Sequence, residues 1–187
     1  MAGVFADCAS FQGGGVENWD TSRVTTLDSM FRGVVRFNAP VGRWNTRLVK
    51  DLSRTFQDCA VFNQPLNDWN VSSVKYMSAA FKRCTTFNQP LDQWDVGNVH
   101  NAGNMFKDAT AFDQDLSGWK FNPHYGSERD IFSGTNATRD KFKPTVVYNP
   151  DDNWSVSSHE SILDTDEQSD YDDEDFEGED DGEEDEV

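Results

Sequence analysis

The chain has 187 residues and a formal net charge of −18, a length ordinary for one domain. No run of about 18 apolar residues occurs, so the sequence contains no candidate membrane-spanning helix. The acidity is uneven: residues 151–187 hold 19 Asp and Glu and no Lys or Arg, leaving 15 acidic against 16 basic residues in 1–150. A near-neutral body, with a balance of only +1, therefore precedes an acidic tail, and nucleic acid is not expected as a partner, because so small a positive charge attracts phosphate weakly and the tail repels it.

The body is periodic. Trp19, Trp44, Trp69, Trp94 and Trp119 are each 25 residues apart. Phe31, Phe56, Phe81 and Phe106 keep the same interval, as do Phe37, Phe62, Phe87 and Phe112, and Val24, Val49, Val74 and Val99. A fixed period between 20 and 50 residues predicts a solenoid, because one coil cannot bury its own apolar face and must share a core with its neighbours.

In chain order, residues 1–11 read as the end of a coil, with Phe5 and Phe11 spaced like Phe31 and Phe37. The first residues lack the basic start and apolar stretch of a signal peptide. The run Gly13-Gly14-Gly15 carries one extra residue. The chain thus begins in mid-repeat, so either its end is capped irregularly or the stack belongs to a longer array. Each full coil has two halves. From Thr21, Thr46 or Ser72 the apolar residues fall about three apart, as in Val74, Met77, Ala80 with Phe81, and Cys84, which predicts a short helix of about nine to twelve residues. The other half, Phe87-Asn88-Gln89-Pro90-Leu91 in one repeat, contains a proline that excludes a helix interior and predicts a short strand. The expected fold class is therefore an α/β repeat solenoid with leucine-rich-repeat-like coils.

Cys8, Cys59 and Cys84 share a repeat position with Val34 and Ala109, which predicts small buried hydrophobes. Their spacing matches no zinc site, although Cys59 and Cys84 on adjacent coils approach disulfide range. Asn38, Asn63, Asn88 and Asp113 form a column, read as an amide ladder bonding the next coil's backbone, with a ligand site as the alternative. Asp20, Asn45, Asn70 and Asp95 follow the tryptophans and predict turn or cap residues rather than calcium ligands. His100 sits where other coils have Thr25, Lys50 and Lys75, and so reads as exposed. Arg32, Lys82 and Lys107 follow the column phenylalanines, with Arg83 alongside; these four form a candidate binding ridge for an anionic partner.

Regularity fades after Trp119. The domain division expected is a repeat body over 1–143 of about five coils, a linker over 144–150 and a disordered acidic tail over 151–187, where few apolar residues accompany the charge. No catalytic constellation has workable spacing, and the glycine run lacks the Lys and Ser or Thr of a phosphate loop. No enzyme, cofactor or metal is expected.

The phrase Phe62-Asn63-Gln64-Pro65-Leu66 with Trp69, Val74 and Met77, repeated as Phe87-Asn88-Gln89-Pro90-Leu91 with Trp94, resembles the tryptophan-containing repeat of BspA-like surface proteins, also known as a mycoplasma domain of unknown function and regarded as distantly leucine-rich-repeat-like. The resemblance spans about residues 5–134. It implies a cell-surface or secreted protein linked to adhesion. The function expected is a non-enzymatic repeat module binding protein or glycan; the sequence does not fix an oligomeric state, and a monomer is expected. The alternative is an intracellular adaptor whose acidic tail binds basic partners such as histones.

Overall fold

The computed structural model describes residues 1–121 and 131–137. The chain divides into two units, Met1–Asn149 and Pro150–Val187. The linker and acidic tail read from the sequence lie outside the described residues.

The backbone of the first unit alternates between two kinds of hydrogen bond. Leu27, Ser29, Phe31 and Gly33 donate their N–H groups to the carbonyls of Asp51, Ser53, Thr55 and Gln57 in the next repeat, at 2.8–3.0 Å. The residues between them close local turns: Met30 donates to Leu27, Arg32 to Ser29 and Val34 to Phe31. The same alternation recurs in the repeats that begin at Leu52 and Met77. Every second amide therefore ties one repeat to the next, and its neighbour tightens the repeat itself. Close by, Thr26, Asp51, Tyr76 and Asn101 form a line of parallel bridges.

This arrangement corrects the expected α/β solenoid with its helix and strand in each coil. Among the described residues the only named element is a single 3-10 turn, Val16–Asn18. The predicted helices do not form, because each repeat places two residues in the left-handed region: Ser29 and Gly33, Arg54 and Asp58, Ala79 and Arg83, Asn104 and Asp108, with φ between 52° and 73°. One left-handed residue costs an L-amino acid about 1–2 kcal/mol and cannot be carried inside a right-handed helix. Bonds to the next repeat compensate for it. The predicted strands are also absent among the described residues. Pro40, Pro65 and Pro90 have no N–H to offer a ladder, and side-chain amides take over the contact between repeats at that point.

The aromatic columns build the core. Trp44, Trp69, Trp94 and Trp119 stack with neighbouring ring centres 6.2–6.5 Å apart and planes within 5° of parallel. Phe31, Phe56, Phe81 and Phe106 stack at 5.4–5.9 Å. Each of these lies 3.8–4.3 Å from the second phenylalanine of its own repeat, Phe37, Phe62, Phe87 or Phe112. All are buried, while Trp19, Phe5 and Phe11 at the N-terminal end are half-buried. At the other end Phe132 continues the column, 5.6 Å from Phe106.

Polar atoms inside the stack find partners one repeat back. The four buried indoles each donate Nε1–H to a carbonyl 28 residues earlier: Trp44 to Val16, Trp69 to Val41, Trp94 to Leu66 and Trp119 to Leu91, at 2.9–3.0 Å. Cys59 and Cys84 are free and buried. Their thiols donate to the carbonyls of Phe31 and Phe56 at 3.0 and 2.8 Å. The extra residue at Gly13–Gly15 is absorbed by left-handed glycines. At Gly13, with φ 91°, a Cβ would lie 2.6 Å from that of Ala39, so only glycine fits.

Candidate functional site

With most aromatic and aliphatic columns turned inward, the outward surface is made largely of polar columns, with Val35, Leu48, Val61 and Tyr76 exposed among them. Three polar columns were singled out in the sequence.

The basic ridge is divided by its own counter-charges. Arg32 donates Nη2 to Asp7 Oδ2 at 2.6 Å. Arg83 pairs with Asp58 through both Nε and Nη2. Each pair joins neighbouring repeats. The bond to Asp7 raises the pKa of Arg32. Burial works against the charge on Asp58, but the bonds from Arg83 and Gln57 outweigh it and hold its carboxyl below the usual range. Lys82 and Lys107 are half-buried in the Arg32 column. Arg83 belongs to the left-handed column of Gly33, Asp58 and Asp108. The four cations thus occupy two adjacent columns, the second of which also contains acidic residues.

The column after the tryptophans makes turns. Asp20, Asn45, Asn70 and Asp95 each accept, through Oδ1, the N–H two residues on, at 3.0–3.3 Å. This is the Asx turn, a common local use of Asn and Asp. The Ser22 hydroxyl and N–H hold the Asp20 carboxyl below its ordinary pKa. His100, expected to be exposed, is half-buried, with its ring edge-on to Tyr76 at 6.0 Å.

The third column is the most regular. Asn38 Oδ1 accepts the backbone N–H of Asn63, Asn63 that of Asn88, and Asn88 that of Asp113, each at 3.0 Å. The neighbouring glutamines reinforce the row: Nε2 of Gln64, Gln89 and Gln114 donates to the same three Oδ1 atoms at 2.8–3.1 Å. The ladder read from the sequence exists, but on the surface: Asn38, Asn63 and Asn88 are all exposed. Beside it run Pro40, Pro65 and Pro90, also exposed. A second polar run lies nearby, where Asn67 Nδ2 and Gln93 Nε2 donate to the two oxygens of Asp92 and lower its pKa, Gln93 having the larger effect. Reading the Asn column alone misses the glutamine row, although its signal, Gln64, Gln89 and Gln114 at the 25-residue interval, was visible.

Among the described residues no helix is long and apolar enough to cross a membrane. No matching protein was found among curated sequences, and none among solved structures. A family model matches over residues 1–119 and again over 49–145, and the chain belongs to the family described as "Mycoplasma protein of unknown function, DUF285".

Proposed function

We propose that this chain is a non-enzymatic binding module of the cell-surface or adhesion type, recognising protein or glycan along the outward columns of its stacked repeats. The resemblance to BspA-like surface proteins supports the class. The observation that carries the reading is the division of labour within each repeat. Aromatic and aliphatic columns are buried, while like polar residues, such as Asn38, Asn63 and Asn88, recur outward from repeat to repeat. Such a surface offers a partner the same chemistry several times in a line, so that weak contacts add up. The test is saturable binding of the full chain to immobilised glycans and to purified extracellular proteins. Binding to one of the two classes, reduced by substitutions in the outward columns, is the expected result. Failure with both classes removes the reading.

A second reading places binding in the tail. The charge distribution favours it, since residues 151–187 hold 19 acidic and no basic residues. Histone binding by the full chain that disappears in a chain ending at residue 150 would select this reading over the first.

A further inference from the structure

We propose that the amide row formed by Asn38, Asn63 and Asn88 with Gln64, Gln89 and Gln114 is a binding track for a neutral, extended polysaccharide lying along the stack. The inference deepens the binding-module reading and rests on it.

The bonding of the row leaves a defined residue of chemistry. A backbone N–H can only donate, so the atom of Asn38, Asn63 and Asn88 that receives it is the carbonyl oxygen, and the orientation of each amide follows without ambiguity. That oxygen also accepts the glutamine Nε2. The remaining groups are Nδ2 of each asparagine, with two hydrogens, and Oε1 of each glutamine. Neither set has a protein partner among the described residues. Each repeat therefore offers an asparagine donor group and a glutamine acceptor, the asparagine side chains held by two hydrogen bonds each and those of Gln64 and Gln89 by one. The side-chain ordering that binding normally costs has largely been met in folding.

The chemistry of the row selects among ligands. A sugar hydroxyl both donates and accepts, and so matches an amide N–H2 beside an amide carbonyl. Repeats joined by backbone hydrogen bonds lie about 5 Å apart, comparable with the length one pyranose ring occupies in an extended chain. Pro40, Pro65 and Pro90 supply an exposed apolar strip alongside, against which the C–H face of a sugar ring packs. The row itself is uncharged from Asn38 to Asn88, with Asp113 at its end, which fits a neutral polymer better than an anionic one. Individual bonds of this kind are weak because water competes for the same groups, so affinity grows with the number of repeats engaged.

The experiment uses the full chain and neutral hexasaccharides of glucose, mannose and N-acetylglucosamine. Side-chain amide NMR signals of Asn38, Asn63 and Asn88 are expected to shift on titration with at least one of them. The double variant Asn63→Asp, Asn88→Asp keeps the Oδ1 acceptors and removes two Nδ2 donors, and should weaken that binding about tenfold, with some loss of thermal stability from the like charges it stacks beside Asp113. If the double variant does not fold, Asn38→Asp at the end of the row gives a smaller loss by the same logic. Shifts confined to other columns, or equal affinity in the folded variant, would overturn the track. Binding to extracellular proteins with no shift by any hexasaccharide would also overturn it, while leaving the binding-module reading in place. Failure of the chain to bind proteins or glycans would remove both.

Discussion

The indole Nε1 of Trp69 donates to the carbonyl of Val41, 28 residues earlier, at 3.0 Å, and both residues are buried. The tryptophan column thus does two things: it fills volume, and it satisfies a carbonyl of the preceding repeat that water does not reach. Trp69→Phe should preserve most of the packing but orphan the Val41 carbonyl, costing about 1–3 kcal/mol. Trp69→Ala should cost about 3–5 kcal/mol, a large share of the stability of one domain. Trp19 is half-buried and has no such acceptor among the described residues, so Trp19→Phe should cost much less. Thermal or urea unfolding of the three variants measures this, and equal losses at Trp19 and Trp69 would contradict it.

The left-handed positions reverse the usual ranking of alanine and glycine. Ala79 has φ 53°, so Ala79→Gly should be neutral or stabilising, by up to about 1 kcal/mol, as strain relief is set against the greater freedom of the unfolded glycine. Gly33→Ala should destabilise by more than 1 kcal/mol by the same strain, since φ is 73° and the new Cβ would meet the Asp7 carboxylate. The denaturant midpoint should fall for Gly33→Ala and stay level or rise for Ala79→Gly. A drop on Ala79→Gly comparable with that on Gly33→Ala would show that this strain is negligible.

Burial raises the thiol pKa values of Cys59 and Cys84 well above the ordinary range, whereas Cys8 is exposed. Only a thiolate attacks a disulfide reagent. Ellman's reagent should therefore label one cysteine quickly in the native protein and all three in denaturant. Rapid native labelling of two or three would mean that the stack opens on the timescale of the assay.

The depressed pKa of Asp58 links one ion pair to pH. A carboxylate whose pKa is lowered by folding adds stability above its unfolded pKa, near 4, and loses that contribution as pH falls through the folded value. Asp58→Asn should thus lower stability at pH 7 by about 0–1 kcal/mol, the usual worth of a pair that solvent still reaches, and the gap to the parent should close as pH drops below about 4. Unfolding curves at pH 7, 5 and 3 follow this directly. A gap independent of pH would assign the loss to packing rather than to charge.

The amino-acid sequence by itself determined the period, the uneven distribution of charge and most of the side chains that face inward, although Cys8, expected to be buried, is exposed and His100, expected to be exposed, is half-buried. Those properties follow from spacing, because a residue type repeated every 25 positions in a stacked chain must meet its own copies. The amide ladder was legible for the same reason. The path of the backbone was not. Apolar residues about three apart, as from Val74 to Cys84, suit an α-helix and suit equally a chain of three-residue turns, since both return a side chain to the same face. Tertiary structure decided between them. A helix bonds its amides internally, whereas here Leu27, Ser29, Phe31 and Gly33 bond the next repeat, and the left-handed conformations that permit this fall on Arg54, Ala79 and Arg83, residues with no preference for them. The Asp and Gly of Gly33, Asp58 and Asp108 are the faint local signal of that geometry. The ridge likewise depended on tertiary contacts: Arg83 and Asp58 are 25 residues apart in the chain and are paired only because one repeat lies on the next.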